Sequence, residues 1–124
     1  TLPTIVALLS AKVGTLLLLE NPEAHIHPRG QSKLGEVLAR AAAAGVQIVV
    51  ESHSDHVLNG IRVAVKREVI RPRDVQLHFF TQVMDGGKLQ KQVVSPDITN
   101  DGRITEWPGG FFDEWDKSLE ALLD

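Results

Sequence analysis

Apolar and polar positions follow two patterns in the first half of the chain. Residues 15–20 and 46–51 are short apolar runs, and each ends in a glutamate. Such runs are typical of strands buried on both faces of a parallel sheet. Residues 29–44 and 55–67 instead carry apolar side chains at helical spacing, and residues 3–12 predict a further short, buried helix. The order strand–helix–strand–helix predicts a parallel strand pair joined by a right-handed crossover.

The second half of the chain changes pattern. Residues 74–83 predict a third strand, the Asp-Gly-Gly of residues 85–87 a hairpin turn, and residues 88–94 an antiparallel return strand. A polar loop over residues 97–104 then precedes a terminal amphipathic helix over residues 111–123. The expected fold class is α/β, with a three-stranded parallel sheet, flanking helices, an edge β-hairpin and a C-terminal helix.

Polar side chains follow both predicted parallel strands where those strands end. Glu20 ends the first strand and Glu23 comes after it, and Glu51 ends the second strand and His53 comes after it. Because the carboxyl ends of parallel strands meet at one sheet edge, where ligands bind, we expect Glu20 and Glu51 to lie close together. Carboxylates there suit Mg²⁺, which takes one or two of them and otherwise water and phosphate oxygens. The simpler alternative is that each acid is a solvated strand end.

Composition narrows the class of protein. A chain of 124 residues is one domain or part of one, and its net charge of −3 gives no general reason to bind nucleic acid or anionic membrane. The absence of cysteine excludes disulfides, thiolate-ligated zinc and thiol catalysis, and fits a cytoplasmic location. No apolar run approaches the roughly 18 residues of a membrane span. The abrupt start without Met or a signal peptide indicates an excised piece.

Two motifs and a tail carry a family resemblance. LLLLENPEAHIHP at residues 16–28, followed by VQIVVESHSDHVLNGIR at residues 46–62, resembles the C-terminal lobe of ABC-type P-loop NTPase heads of the SMC, RecF and OLD-like kind. The tail SPDITNDGRITEWPGGFFDEWDKSLEALL is similar to the ending of AAA-family ATPases that carry a DUF3696 domain. The resemblance covers essentially the whole chain. It implies an ATPase-head lobe over residues 1–95 and a DUF3696-like tail over residues 96–124.

The resemblance implies a role for each residue at the strand ends. The first strand would be the Walker B strand, with Glu20 where most relatives have the Asp that coordinates Mg²⁺. Asn21 occupies the place of the usual catalytic Glu, and since an amide cannot act as a general base it could only orient a water. Glu23 could supply the missing carboxylate, or hydrolysis could be slow. His53 matches the switch histidine that contacts the γ-phosphate of ATP, and residues 24–28 resemble the loop that faces a partner head.

The absence of a phosphate-binding motif indicates which partners the chain needs. No GxxxxGK[ST] occurs in the 124 residues, so no glycine-rich loop is present to cradle phosphates. By the same resemblance, the signature serine lies upstream. We therefore expect a head fragment that is inactive alone and needs a missing N-terminal lobe with a Walker A motif. The complete protein would be a homodimer of heads that binds Mg²⁺ and ATP.

Two alternative functions stay open at this point, and further partners are conceivable. His25, His27 and His53 could form a site for a metal-dependent hydrolase. Asn21 instead favours a non-hydrolysing nucleotide switch or a protein-interaction module. DNA and an accessory protein are further candidate partners. The basic cluster that could touch DNA is otherwise typical of a solvated helix end, and it comprises Lys66, Arg67, Arg71 and Arg73.

Overall fold

A computed structural model describes residues 7, 8 and 10–106 of the chain. The main elements are β1 (Leu16–Glu20), α1 (Pro28–Ala43), β2 (Gln47–Glu51), α2 (Asp55–Lys66), a 3-10 turn (Pro72–Asp74), β3 (Phe79–Asp85) and β4 (Lys88–Val94). The two strands and two helices predicted in the first half are confirmed to within one residue at each end. The predicted helix over residues 111–123, and most of the one over residues 3–12, lie outside the described residues.

The ends of both helices follow from local sequence. Pro28 occupies the first position of α1, where its missing N–H costs nothing, and the His27 ring accepts a 3.4 Å hydrogen bond from the Arg29 N–H. Gly45 ends this helix with a φ of 109°, a conformation that glycine adopts without strain. Of the two serines before α2, Ser54 is the cap, because its Oγ accepts a 3.1 Å bond from the Val57 N–H.

The strands β1 and β2 form a parallel pair with no offset. Leu16 is opposite Gln47 and Glu20 is opposite Glu51, so both strands end at the same level. Alternate side chains, among them Leu17, Leu19, Ile48 and Val50, pack against a core cluster that contains Leu34, Leu38 and Val57. On the opposite face, Leu16, Leu18 and Val49 are 52%, 72% and 58% exposed. The described residues therefore cover one face of a strand pair that the sequence predicts to be buried on both.

The two helices cross closely, and two glycines allow it. A Cβ at Gly35 would fall on the carbonyl oxygen of Val57, and a Cβ at Gly60 would fall on that of Ser32. Both contact points lie within about two turns of the helix N-termini. The crossing thus draws together the two loops that lead from β1 into α1 and from β2 into α2.

A second core cluster lies under the loop that follows β4. Its buried members are Ala39, Ala64, Val65, Ile70, Ile98 and Ile104. Residues 97–104, predicted as a polar loop, therefore contribute two core side chains, which are also joined by a β-bridge between Ile98 and Ile104. The fully buried Arg62 side chain donates a 2.7 Å hydrogen bond from Nε to the carbonyl oxygen of Gly102.

The predicted third parallel strand is wrong for the part of the chain that the structure describes. β3 begins at Phe79 rather than at residue 74, and it pairs with β4 in a separate antiparallel sheet. The 3-10 turn at Pro72–Asp74 interrupts the extended backbone, and the alternating side chains that follow lack the continuous apolar run of a strand buried between neighbours. The hairpin turn is confirmed, with φ of 58° and 81° at Gly86 and Gly87, as a two-residue turn of the I′ kind needs.

Candidate functional site

Two carboxylates stand side by side where the parallel strands end. Glu20 and Glu51 are register partners, both are exposed, and neighbouring strands are about 4.8 Å apart. Like charges directly opposite each other on neighbouring strands repel, and a bound cation would remove that repulsion. The Nε2 atom of His53 lies 3.8 Å from Oε1 of Glu51, and the two side chains are 81% and 63% exposed. The expected approach of Glu20, Glu51 and His53 is thus present in the fold.

Asn21 turns the chain away from the sheet. Its backbone has a φ of 46°, a left-handed conformation that asparagine tolerates better than most residues. Its N–H donates a 2.9 Å bond to the carbonyl oxygen of Glu51, which ties the end of β1 to the end of β2. Its side-chain Oδ1 is buried without a hydrogen-bond partner among the described residues. A buried acceptor of this kind needs a donor, such as a water molecule or a ligand.

Glu23 is the one buried acid of this region. Its residue is 8% exposed, and its Oε1 accepts two hydrogen bonds, at 2.8 Å from Oγ of Ser52 and at 3.1 Å from the N–H of His53. Its second oxygen, Oε2, is buried and has no partner within the described part of the chain. Glu23 therefore joins the loop after β1 to the loop after β2.

A second set of hydrogen bonds joins the same two loops through α1. Gln31 donates from Nε2 to the carbonyl oxygen of Ile26 at 2.8 Å and accepts from Oγ of Ser54 at 2.6 Å. The N–H of Ser54 in turn donates to Oγ of Ser52 at 3.0 Å. Sequence reasoning missed Gln31 and the contact of Ser52 with Glu23. The available signal was a polar side chain in the first turn of an amphipathic helix, where such residues satisfy loop atoms.

The histidines of the alternative metal site are not gathered. His25 has a φ of 66°, His27 caps α1, and both are exposed. Over residues 7, 8 and 10–106, no group of three or more His, Asp or Glu side chains is placed to hold a metal ion. The hydrolase built on His25, His27 and His53 thus gains no support from the fold.

Much of the basic cluster after α2 is paired with acids. Nη1 of Arg67 lies 3.6 Å from Oε1 of Glu36, and Nε of Arg71 donates a 3.0 Å bond to Oδ2 of Asp74. These exposed pairs offset part of the positive charge that DNA would require. Among the helices described, none is long and apolar enough to cross a membrane.

These features define an α/β unit whose polar residues collect at the carboxyl edge of a parallel strand pair, where open α/β sheets bind ligands. Residues 1–59 match the family model described as "AAA domain, putative AbiEii toxin, Type IV TA system", and residues 70–122 match "Protein of unknown function (DUF3696)". The two matches, in this order, support an AAA-family ATPase fragment that ends in DUF3696, and they confirm these two parts of the resemblance carried by the motifs. Searches of curated proteins and of solved structures gave no significant match.

The AAA match contains every residue of the polar edge, from Glu20 to His53, whereas the DUF3696 match contains the β3–β4 hairpin. The predicted division between residues 95 and 96 stays a prediction.

Proposed function

We propose that this chain supplies the Walker B and switch-histidine edge of an ATPase head that works with Mg²⁺ and ATP. The observation that carries the proposal is the in-register pair of exposed carboxylates, Glu20 and Glu51, at the carboxyl edge of a parallel pair within the AAA match. Two adjacent carboxylates with open space around them suit a hard cation that keeps most of its waters and binds phosphate oxygens.

Each residue at the edge has a proposed role. Glu20 holds the Mg²⁺ ion through water, and His53, whose side chain is 81% exposed, contacts the γ-phosphate. Asn21 orients the attacking water, since it occupies the place of the usual catalytic Glu and its amide oxygen can accept a hydrogen bond but not a proton. The earlier prediction that Glu23 supplies the base stays a prediction, to be tested against a supporting role.

The phosphate cradle would come from outside these 124 residues. Phosphoryl transfer depends on a loop of backbone N–H groups and a lysine around the phosphates, and the sequence has no glycine-rich motif of that kind. One face of the strand pair, which the described residues leave uncovered, supports this division, because Leu16, Leu18 and Val49 are exposed beside Glu20 and Glu51. We propose that a further lobe covers this face and brings the Walker A loop with it.

The complete protein is proposed to act in the cytoplasm as a homodimer of heads. In support, three residues of the loop between β1 and α1 are exposed, namely Ala24, His25 and His27, so this loop is free to face a second head. DNA and an accessory protein are further proposed partners.

The test is steady-state ATP hydrolysis by the complete protein with Glu20→Gln. Losing the metal-holding carboxylate should lower kcat by about 100-fold or more, as loss of a transition-state charge contact does. Glu36→Gln is the matched control, because Glu36 lies on α1 away from the polar edge and pairs with Arg67. Unchanged hydrolysis by Glu20→Gln would make the Walker B assignment wrong. Micromolar binding of Mg²⁺-ATP to the 124-residue chain alone, measured by titration calorimetry, would contradict the need for another lobe.

A second candidate function is a nucleotide switch that hydrolyses ATP slowly or not at all. Asn21 favours it, because an amide stands where the resemblance places a catalytic carboxylate. Asn21→Glu distinguishes the two functions. A large gain in the hydrolysis rate would indicate that the natural protein is a slow switch, whereas no gain would favour an enzyme that uses another base.

A further inference from the structure

We propose that Glu23 is a positioning residue that fixes the loop carrying His53 and couples it to the loop after β1, and that it is not the general base. The geometry that points to this role is one buried carboxylate oxygen with two donors from residues 52 and 53. The proposal rests on the proposed function for its catalytic consequence, but its structural content stands without it.

The two carboxylate oxygens of Glu23 differ in their hydrogen-bond partners. Each carboxylate oxygen offers about two lone pairs, and Oε1 uses both, for Oγ of Ser52 at 2.8 Å and the N–H of His53 at 3.1 Å. Only Oε2 is left to take a proton, and it is buried. A general base must reach the attacking water directly or through one further water. A residue that is 8% exposed and tied at its other oxygen is better placed to hold a loop.

Glu23 holds the loop that carries His53, through the N–H of His53. His53 has an 81% exposed side chain, and its ring meets Glu51 only at 3.8 Å. The hydrogen bond from the N–H of His53 to Oε1 of Glu23, at 3.1 Å, is therefore shorter than the contact of the His53 ring with Glu51. Since Glu23 and His53 are 30 residues apart in sequence, this bond is a tertiary contact between the two strand-to-helix loops. Where His53 points depends on where the loop after β1 holds Glu23.

Two sets of hydrogen bonds connect the loop after β1 to the loop after β2. The chain of bonds from Ile26 through Gln31 to Ser54 runs beside the Glu23 contact, and Ser52 joins the two sets by accepting from the N–H of Ser54. A shift of residues 21–27 when Glu20 and Asn21 engage a ligand would therefore be passed to residues 52–54. We infer that this coupling lets the metal side of the edge set the position of the phosphate-contacting histidine.

The experiment compares Glu23→Gln with Glu23→Ala in the complete protein. The amide of Gln keeps an oxygen that can accept from Ser52 and His53 but cannot act as a base, whereas Ala removes the acceptor. Hydrogen exchange measured by mass spectrometry on a peptide spanning residues 52–54 reports the His53 N–H bond without any need for activity. Glu23→Ala should raise exchange there by about tenfold or more, and Glu23→Gln should stay within about threefold of the wild type.

ATP hydrolysis supplies the second readout. A positioning role predicts that Glu23→Gln keeps kcat within about threefold of the wild type while Glu23→Ala loses most of it. A general base predicts that both variants lose about 100-fold or more, with exchange at residues 52–54 unchanged in Glu23→Gln, and this result would overturn the proposal. Ser52→Ala, which removes one donor and leaves the carboxylate, should raise exchange at residues 52–54 by less than Glu23→Ala does.

The outcomes separate the two proposals. If the wild-type complete protein hydrolyses no ATP, the proposed function loses its support, but the exchange difference between Gln and Ala still decides the role of Glu23. If Glu23→Ala does not fold, Glu23→Gln and Ser52→Ala remain. Full activity with unchanged exchange in Glu23→Gln would support positioning, and a collapse of activity with unchanged exchange would refute it.

Discussion

The crossing of α1 and α2 gives a sharp test of the fold, because it depends on the absence of a single carbon atom. Gly60 lies where α2 meets α1, and a Cβ added there would fall on the carbonyl oxygen of Ser32 and 3.1 Å from the Cα of Gly35. Both obstacles are backbone atoms, which cannot move aside by changing a rotamer. Gly60→Ala must therefore push the two helices apart.

The size of the effect follows from two opposing terms. Replacing glycine by alanine inside a helix favours the folded state by about 1 kcal/mol. Forcing an extra carbon into a packed contact costs about 1 to 3 kcal/mol, and a clash with backbone belongs at the upper end of that range. The net expectation is a loss of about 2 kcal/mol in the free energy of unfolding, which lowers the ratio of folded to unfolded chain by about thirtyfold.

The assay is urea unfolding of the 124-residue chain followed by far-ultraviolet circular dichroism, with every variant at the same concentration because self-association would make the unfolding midpoint depend on it. Gly30→Ala is the comparison variant, since this helical glycine would place its Cβ 2.6 Å from a side-chain methyl, Cγ2 of Ile26, which must shift, but near no backbone atom. We expect the helical gain of about 1 kcal/mol to offset the cost of shifting Ile26, so that Gly30→Ala lies within about 1 kcal/mol of the wild type. If Gly60→Ala were as stable as Gly30→Ala, the close crossing, and with it the account of how the two loops are drawn together, would be refuted.

Two further predictions concern the second core and the open sheet face. Arg62→Met removes the buried donor to the carbonyl oxygen of Gly102 and should lower the free energy of unfolding by about 2 to 3 kcal/mol. The exposed control Arg67→Met should lower it by about 1 kcal/mol or less. Equal effects of the two substitutions in thermal unfolding would contradict the role of Arg62. Leu18 is 72% exposed and lies on an apolar face that should make the isolated chain self-associate. Leu18→Lys should reduce the mass measured by light scattering, whereas Val13→Lys, at an exposed position outside β1, should not. A wild-type chain that is monomeric at all concentrations would contradict this prediction.

The first half of the fold was predictable because its signals are local. Apolar runs ending in glutamate, Pro28 at a helix start and Gly45 at a helix end act within a few residues of one another. The third strand was not predictable in the same way. The Gly86-Gly87 turn fixes the pairing of β3 with β4. Whether the other edge of β3 also joins the parallel pair depends on contacts between segments far apart in sequence, which no local pattern shows.

The candidate site likewise has one part that the sequence predicts and one part that it does not. That Glu20 and Glu51 meet could be predicted, because a parallel crossover brings strand ends together whatever the loops do. That Glu23 faces Ser52 and His53 could not, because the contact spans 29 and 30 residues and depends on the left-handed turns at Asn21 and His25. No local pattern indicates which of two acids three residues apart will be buried.

Glu20 and Glu23 therefore have different roles, and the reason is geometric. Side chains alternate along β1, so Glu20 shares its face with Leu16 and Leu18, the side that the described residues leave open. Glu23 comes after the chain has turned at Asn21 and is buried. A ligand can reach Glu20 from the open side without displacing the hydrogen bonds of Glu23. Loss of Glu20 should then affect ligand binding with little change in the loops, whereas loss of Glu23 should disturb the loops first and the ligand only through them.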